Sequence, residues 1–384
     1  MSTFISIMQL DDTELDVLSA VNSLHKMKDV WDYLRNEYGM SECDEGLDVL
    51  KDYLDHLLNK GVISEGTKTK PIYGEKGKKY PLYISVELTN RCNFKCSHCY
   101  KEAGSDNWDY IDENRIIPFL KEMINKIHGV TLTGGEATLH PAFSDIVQEL
   151  PQNSIALLTN GSYLNKISDE TLLRLGHIQI SLYGCDEEEY VMATKANCFE
   201  KVIDGIRRVT KMGLSHDIAV ILRPSNIDRL DKYMELLNEC GVKRVRFGLN
   251  TDVGRNVYGE WSLNEEQCRG VAKTINEFRR LFPEIAIEDF KWEVDYGIPP
   301  LPVKDSYSMR CSGGKHTIII SEKGFVRPCH LLPSHCFQFI TMEQYLEHIV
   351  KGEIISFELG INKCADYMKT LGKNLDSICP HGFI

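Results

Sequence analysis

The hydrophobic pattern of the chain changes near residue 76. Before that point, apolar residues recur at every third or fourth position in residues 15–21, 30–39 and 46–63, which predicts amphipathic helices. The run FISIMQL ahead of them predicts a short strand. The segment TKTKPIYGEKGKKYP is rich in Lys, Gly and Pro and predicts a linker, so we place a domain boundary near residue 76.

From Leu82 onward, short apolar runs alternate with amphipathic stretches. This rhythm is typical of parallel βα units and predicts an α/β fold, a partial (β/α)6 TIM-like barrel. Residues just after each strand lie at the edge where such folds bind ligands. The predicted strands are 82–88, 129–133, 155–159, 178–182, 218–222 and 245–249, and the predicted helices include 116–127, 199–213, 230–241 and 264–282.

Composition narrows the class of protein. The 384 residues include 44 Lys and Arg against 56 Asp and Glu, a net charge of −12, which argues against binding along nucleic-acid phosphates. With 42% hydrophobic residues the chain can bury a sizeable core. The opening MSTFISIMQLDD has no basic region or long apolar run, so we expect a cytoplasmic protein with no membrane partner.

The chain contains thirteen cysteines, and in a reducing cytosol such a surplus indicates metal binding or redox chemistry more than disulfides. Isolated cysteines are interpreted as small buried hydrophobes. The cysteines form a tight trio (Cys92, Cys96, Cys99), a C-terminal group (Cys311, Cys329, Cys336, Cys364, Cys379) and five isolated residues (Cys43, Cys185, Cys198, Cys240, Cys268).

The trio has the spacing CxxxCxxC and directly follows the first predicted barrel strand. A tetrahedral zinc site would recruit a fourth ligand, for which His98 is the obvious candidate. A [4Fe–4S] cluster held by three cysteines would instead leave one iron open to an outside ligand. The spacing alone leaves both possibilities open.

This trio at the end of a first barrel strand resembles the radical S-adenosylmethionine (radical SAM) superfamily. The resemblance implies a [4Fe–4S] cluster on Cys92, Cys96 and Cys99 whose open iron binds S-adenosylmethionine and cleaves it to a 5′-deoxyadenosyl radical. The second strand ends in Gly134, Gly135 and Glu136, similar to the family's segment that binds the methionyl amine. Paired glycines allow close approach of the backbone to a ligand, and a carboxylate accepts from an ammonium. Ala137 replaces the family's usual proline.

Further positions agree with the resemblance. Ser181 follows the pattern of relatives whose strand-end serine contacts the cofactor, and His98 fills a position, usually aromatic, beside the adenine. Asn226 also fits a familiar pattern, although we assign it no role. Each position alone predicts no more than a turn or a cap, and their order on successive strand ends is what makes the combination specific.

The C-terminal cysteines resemble the SPASM and twitch extensions of radical enzymes that act on peptides. Cys311 is followed by twelve residues and then by the sequence from Gly324 to Cys329, and glycine permits a tight hairpin there. The resemblance implies one auxiliary cluster, expected as [4Fe–4S], in a domain spanning 293–384. A zinc-stabilised tail is the alternative. The expected ligands are Cys311, Cys329, Cys364 and Cys379, with Cys336 as a substitute or a free thiol.

Residues 1–76 resemble the winged-helix element that recognises ribosomal precursor peptides, akin to the PqqD chaperone of pyrroloquinoline quinone biosynthesis. Such modules add the leader peptide as a strand at a sheet edge. A DNA-binding winged helix is the alternative, although this acidic segment has few phosphate-contacting residues.

Together these features predict a radical SAM enzyme, with its barrel at 77–292, that installs a cross-link in a ribosomally made precursor peptide. A flavodoxin- or ferredoxin-type electron donor is implied. Alternative activities are epimerisation of the peptide, with Cys185, Cys198 or Cys336 returning hydrogen, maturation of a folded protein, and modification of a small metabolite. A metal-sensing DNA-binding regulator is the non-enzymatic alternative.

Overall fold

The computed structural model describes residues 12–24, 26–39, 44–59, 63, 72–106, 108–250, 252–288, 317–331 and 340–351. Contacts divide the chain into two compact units, Met1–Lys79 and Tyr80–Ile384. Several sequence predictions concern positions outside the described residues, namely the strand at 4–10 and the cysteines Cys311, Cys336, Cys364 and Cys379.

The first unit contains the three helices that apolar spacing predicts. Their apolar faces pack into one small core that includes Val17, Val30, Leu34 and Leu54. Outside this core, the carboxylate of Asp16 accepts hydrogen bonds from the Tyr38 hydroxyl at 2.6 Å and from Lys76 Nζ at 2.5 Å. The helices are α1 (Asp12–Leu24), α2 (Met27–Glu37) and α3 (Asp44–Asn59).

The second unit is built on one large sheet, and all six predicted strands are confirmed. The six are β1 (Tyr83–Glu87), β2 (Gly129–Thr133), β3 (Ile155–Thr159), β4 (His177–Leu182), β5 (His216–Leu222) and β6 (Arg244–Leu249). They lie side by side in sequence order and all pair in parallel, as expected for a barrel.

Four further strands, which the sequence did not predict, extend the sheet at both ends. Parallel strands β7 and β8 flank β6 and β1, and β8, β9 and β10 form an antiparallel extension. Gly324, at φ +78°, lies in the turn between β8 and β9. The strands are β7 (Ala286–Glu288), β8 (Thr317–Ile320), β9 (Phe325–Arg327) and β10 (Ile340–Thr341).

Helices follow the strands and cover one face of the sheet. Apolar strand residues such as Ile84, Leu132, Ile180 and Val220 are buried against them. Buried and partly buried residues alternate along β3 and β4, so each of these strands turns one side into this core. The helices are α4 (Glu113–Met123), α5 (Phe143–Gln148), α6 (Asp169–Arg174), α7 (Glu187–Thr194), α8 (Phe199–Lys211), α9 (Leu230–Glu239), α10 (Glu265–Leu281) and α11 (Met342–Val350). Among the described residues, no helix combines the length and apolar character needed to cross a membrane.

A buried carboxylate joins the ends of neighbouring strands. Glu189, in the first turn of α7, is 2% exposed. Its Oε1 accepts from Arg223 Nη2 at 2.5 Å and from the Tyr233 hydroxyl at 2.8 Å, and its Oε2 accepts from the backbone N of Cys185 at 3.0 Å. Arg223 is itself buried, so the two charges compensate each other away from water.

We expect Glu189→Ala to lower the free energy of unfolding by about 3–5 kcal/mol, because it leaves the Arg223 charge buried without its partner. Denaturant titration measures this loss. Glu188→Ala is the matched control, since Glu188 is exposed in the same helical turn, and we expect a loss below about 1 kcal/mol. Equal losses in the two variants would contradict the assignment.

Candidate functional site

The cysteine loop, residues 92–104, follows β1 and carries Cys92, Cys96 and Cys99. Cys96 is buried and the other two cysteines are partly buried, and all three are free thiols. The backbone of the loop is fixed by hydrogen bonds to the C-terminal end of α7, from Lys95 N to Thr194 O at 2.9 Å and from Ser97 N to Ala193 O at 3.1 Å. The three thiols therefore lie on a backbone that the barrel holds in place.

Burial keeps the thiols of Cys92 and Cys96 protonated in the absence of a metal. It raises the pKa of Cys92 to about 12, and the nearby carboxylate of Glu136 adds to the rise. Burial likewise raises the pKa of Cys96, and charges on Cys92 and Cys99 would raise it further. Neighbouring thiolates repel one another. A cationic centre would compensate their negative charges, so its binding would release the protons of the thiols.

The donor set fits a multi-iron cluster. Thiolates are the ligands that iron–sulfur clusters prefer. No three His, Cys, Asp or Glu side chains in the described part of the chain converge on a single metal ion. A [4Fe–4S] cluster binds each cysteine on a different iron, so its thiolates need not meet at one point.

The Gly134–Glu136 segment packs directly on the backbone that leads into the cysteine loop. Gly135 N donates to Thr89 O at 2.7 Å, and Glu136 N donates to Arg91 O at 2.8 Å. A Cβ on Gly135 would lie 2.3 Å from Arg91 O, and one on Gly134, which has φ +140°, would lie 2.3 Å from Thr89 O. The glycines thus permit close approach of one loop to another, and not only the approach to a ligand that paired glycines predict.

The carboxylate of Glu136 is buried and hydrogen-bonded. Its Oε1 accepts from the hydroxyls of Thr138 at 2.6 Å and Thr159 at 2.7 Å, and its Oε2 accepts from Asn160 N at 2.7 Å. Burial raises the pKa of Glu136 against the opposing effect of these donors. Since a carboxylate oxygen can accept two hydrogen bonds, Oε2 retains capacity for a further donor.

Asn160, which the sequence did not single out, connects Glu136 to the cysteine loop. Its Nδ2 donates to Asn93 Oδ1 at 3.0 Å and lies 3.9 Å from Cys92 Sγ, while its backbone N binds Glu136. Asn160 directly follows β3. The two recognised motifs follow the first and second strands. A polar residue directly after the third strand was therefore the signal in the sequence that could have identified Asn160.

His98 is packed between two aromatic rings. Its ring centroid lies 4.8 Å from that of Tyr183 and 5.2 Å from that of Trp261, and its buried Nδ1 has no hydrogen-bond partner within the described part of the chain. Burial, together with the nearby Arg223 and Arg255, lowers the pKa of His98 to about 3, so the ring is neutral at physiological pH.

The other candidate positions lie at the same end of the barrel. Ser181 is partly buried in β4. Asn226 is buried, accepts from Arg223 N at 2.9 Å and donates to Ile221 O at 3.0 Å, so it caps the end of β5. Cys185 directs its thiol to Glu189 Oε2 at 3.2 Å.

The buried carboxylate of Glu87, which the sequence did not single out, connects the cysteine loop to the residues around Cys329. Glu87 ends β1 and accepts hydrogen bonds from Lys101 Nζ at 2.6 Å and from Arg327, with His330 Nδ1 at 3.0 Å. Burial alone would raise the pKa of Glu87, but the His330 hydrogen bond and the two cations hold it well below its usual range. Of the C-terminal cysteines, only Cys329 lies among the described residues.

Comparison with known proteins identifies the barrel. The model of the radical SAM superfamily matches residues 86–237. Residues 86–237 are a radical SAM domain. Enzymes of this superfamily use a [4Fe–4S] cluster and S-adenosylmethionine, and the cysteine loop lies at the start of the matched domain.

The chain is similar to two proteins of Bacillus subtilis (strain 168). It is 24% identical to the sporulation killing factor maturation protein SkfB, covering 82% of this chain and 75% of SkfB. It is 26% identical to the antilisterial bacteriocin subtilosin biosynthesis protein AlbA, covering 73% of this chain but 63% of AlbA. The fold also resembles that of Streptococcus suis SuiB bound to S-adenosylmethionine, with a TM-score of 0.63 at 16% identity over 98% of this chain and 89% of SuiB.

We expect Gly135→Ala to disturb the radical SAM site. The added Cβ meets backbone atoms that cannot move independently, which should cost about 1–3 kcal/mol of stability and displace both Glu136 and the cysteine loop. Isothermal titration with S-adenosylmethionine and denaturant titration measure the two effects.

Gly270→Ala is the control for this variant. Gly270 is exposed on α10, and an added Cβ would meet no atom of the described residues within 4 Å, so alanine should be neutral or stabilise by about 0.5–1 kcal/mol. Wild-type affinity for S-adenosylmethionine in Gly135→Ala would contradict the proposed loop packing.

Proposed function

We propose that this radical SAM enzyme matures a ribosomally synthesised precursor peptide and installs an intramolecular cross-link in it. The observation that carries the proposal is the grouping of the buried or partly buried cysteine trio, Glu136 and Asn160 at adjoining strand ends of the barrel. The similarity to SkfB and AlbA over 82% and 73% of the chain supports a peptide substrate.

In this proposal Cys92, Cys96 and Cys99 hold the cluster and leave one iron for S-adenosylmethionine. When bound, that pair would supply the radical chemistry that removes a hydrogen atom from the peptide. Glu136 accepts the methionyl ammonium through the remaining capacity of Oε2. Its Oε1 is already occupied by the Thr138 and Thr159 hydroxyls, which orient the carboxylate toward that task.

Four other residues complete the proposed cofactor site. Gly134 and Gly135 hold Glu136 against the cysteine loop, as their contacts with Thr89 and Arg91 indicate. Ser181 would contact the cofactor from β4, and His98 would offer its neutral ring to the adenine as a largely apolar surface. A flavodoxin- or ferredoxin-type protein would supply the electron.

The residues after β8 would hold one auxiliary cluster, with Cys329 as the described ligand. Its support is the Glu87 cluster of charges, which fixes Arg327 and His330 on either side of Cys329 against the barrel. Cys311, Cys364 and Cys379 would be the other ligands, with Cys336 as the alternative.

The unit Met1–Lys79 would bind the leader of the precursor. It has its own apolar core, as an independent binding module requires. SuiB, whose fold this chain resembles with a TM-score of 0.63, has been solved bound to its precursor peptide SuiA. Docking the leader would raise the effective concentration of the core peptide near the barrel.

The ligand assignment is tested by Cys92→Ala, Cys96→Ala and Cys99→Ala. We expect each variant to lose the [4Fe–4S] signal of the barrel site and all cleavage of S-adenosylmethionine, because two thiolates cannot retain the cluster. Cys268→Ala is the control, since Cys268 is a buried core thiol on α10. Cofactor cleavage that persists in a trio variant would refute the assignment.

The peptide function is tested with a chain that starts at Tyr80. We expect cleavage of S-adenosylmethionine to persist while turnover of the precursor peptide falls on the order of 100-fold. Short reading frames beside this gene are the candidates to test as precursor. A cross-linked product has lost a pair of hydrogens by mass spectrometry, whereas an epimer incorporates solvent deuterium without that loss. Unchanged turnover of full-length precursor would exclude leader docking on the first unit.

A further inference from the structure

The segment after β6, residues 253–262, contacts the cysteine loop through Arg255. Arg255 Nη1 donates to Cys96 O at 2.6 Å, its backbone N donates to Cys99 O at 3.1 Å, and Nη2 donates to Ala103 O. One residue therefore binds three carbonyls spread along the cysteine loop. We call residues 253–262 the clamp segment.

The clamp segment lies as close to the loop as its backbone allows. A Cβ on Gly254, which has φ +60°, would lie 2.4 Å from Cys99 O and 2.5 Å from Tyr100 O. Only glycine fits this position without displacing the loop. The loop and the clamp segment are therefore in backbone contact on the side that carries Cys99.

The clamp segment is stiffened from within by Asn256, which is 1% exposed. Its Oδ1 accepts from Trp261 N at 2.9 Å, and its Nδ2 donates to Ser262 Oγ at 3.2 Å. These bonds place Trp261 against His98, inside the cysteine loop. A second contact thus fixes the loop between its second and third cysteines.

Arg255 also brings a positive charge to the loop. Its guanidinium lies beside one of the three proposed cluster ligands, with Nη1 2.6 Å from the carbonyl oxygen of Cys96. A cluster with cysteine thiolates is anionic, and one-electron reduction makes it more so. A fixed cation beside it favours the reduced form.

We propose that Arg255 is a positioning residue of the radical SAM site, which holds the cysteine loop in the geometry for cluster binding and raises the reduction potential of the cluster. This inference rests on the proposed ligand role of Cys92, Cys96 and Cys99. Neither Arg255 nor the clamp segment belongs to the motifs by which the sequence resembles its family.

Two substitutions separate the effect of the positive charge of Arg255 from the effect of its hydrogen bonds to the loop carbonyls. Arg255→Gln removes the charge and keeps one amide donor, and Arg255→Lys keeps the charge without the planar fork that reaches two carbonyls. Arg208→Gln is the matched control, because Arg208 binds the carbonyls of Leu164 and Ile167, at 2.5 Å and 2.9 Å, in another part of the barrel.

The first measurement is a redox titration of the reconstituted full-length chain, followed by electron paramagnetic resonance. We expect a more negative reduction potential in Arg255→Gln and a wild-type potential in Arg255→Lys and Arg208→Gln. The second is hydrogen–deuterium exchange, which should be faster across residues 92–104 in both Arg255 variants and unchanged there in Arg208→Gln.

An unchanged potential in Arg255→Gln, or unchanged exchange in the loop of both variants, would overturn the inference. The proposed function fails in a different way. A wild-type chain that binds no [4Fe–4S] cluster at the cysteine loop would contradict the ligand assignment before any Arg255 variant is compared.

Discussion

The site depends on one backbone contact, between the chain leaving β1 and the chain leaving β2. Two hydrogen bonds, from Gly135 to Thr89 and from Glu136 to Arg91, hold these segments so close that a Cβ on either Gly134 or Gly135 would overlap backbone atoms. The contact places a carboxylate near Cys92 through main-chain atoms of the two loops. Side-chain chemistry at the site therefore requires an arrangement of the main chain that only glycine permits.

Buried carboxylates at strand ends extend this arrangement around the barrel, and each is satisfied differently. Glu136 is held by hydroxyls and a backbone amide, so burial prevails and its pKa is raised. Glu87 is surrounded by two cations and His330, which prevail over burial and lower its pKa. The first environment suits a group that receives a further donor. The second environment suits a structural connection, because a carboxylate with compensated charge gains little from another cation.

Sequence reasoning succeeded where the signal was local. Each barrel strand contains a short apolar run, so all six barrel strands were predicted. The cysteine trio and Gly134–Glu136 each lie within one short stretch of sequence. Sequence reasoning missed α5 and α6, six residues each, which are too short to show a helical period, and three-residue β7. Glu87 meets Arg327 across 240 positions, and Arg255 meets Cys96 across 159 positions. No local pattern encodes such pairings, because they arise only when the sheet brings distant strand ends together.

The cysteine loop is fixed by α7 and by Arg255, and the backbone that leads into it is fixed by the Gly134–Glu136 segment. Fixing it before a cluster binds has an energetic consequence. A mobile loop would lose conformational entropy of about 1–2 kcal/mol per residue on binding, and here folding of the barrel has already removed that freedom. The opposing cost is protonation, since burial raises the pKa of Cys92 and Cys96 and their protons must leave. Positive charge on the incoming irons and on Arg255 offsets that cost. Arg255 is well placed for this effect, because its guanidinium binds the carbonyl of Cys96, the most buried of the three cysteines.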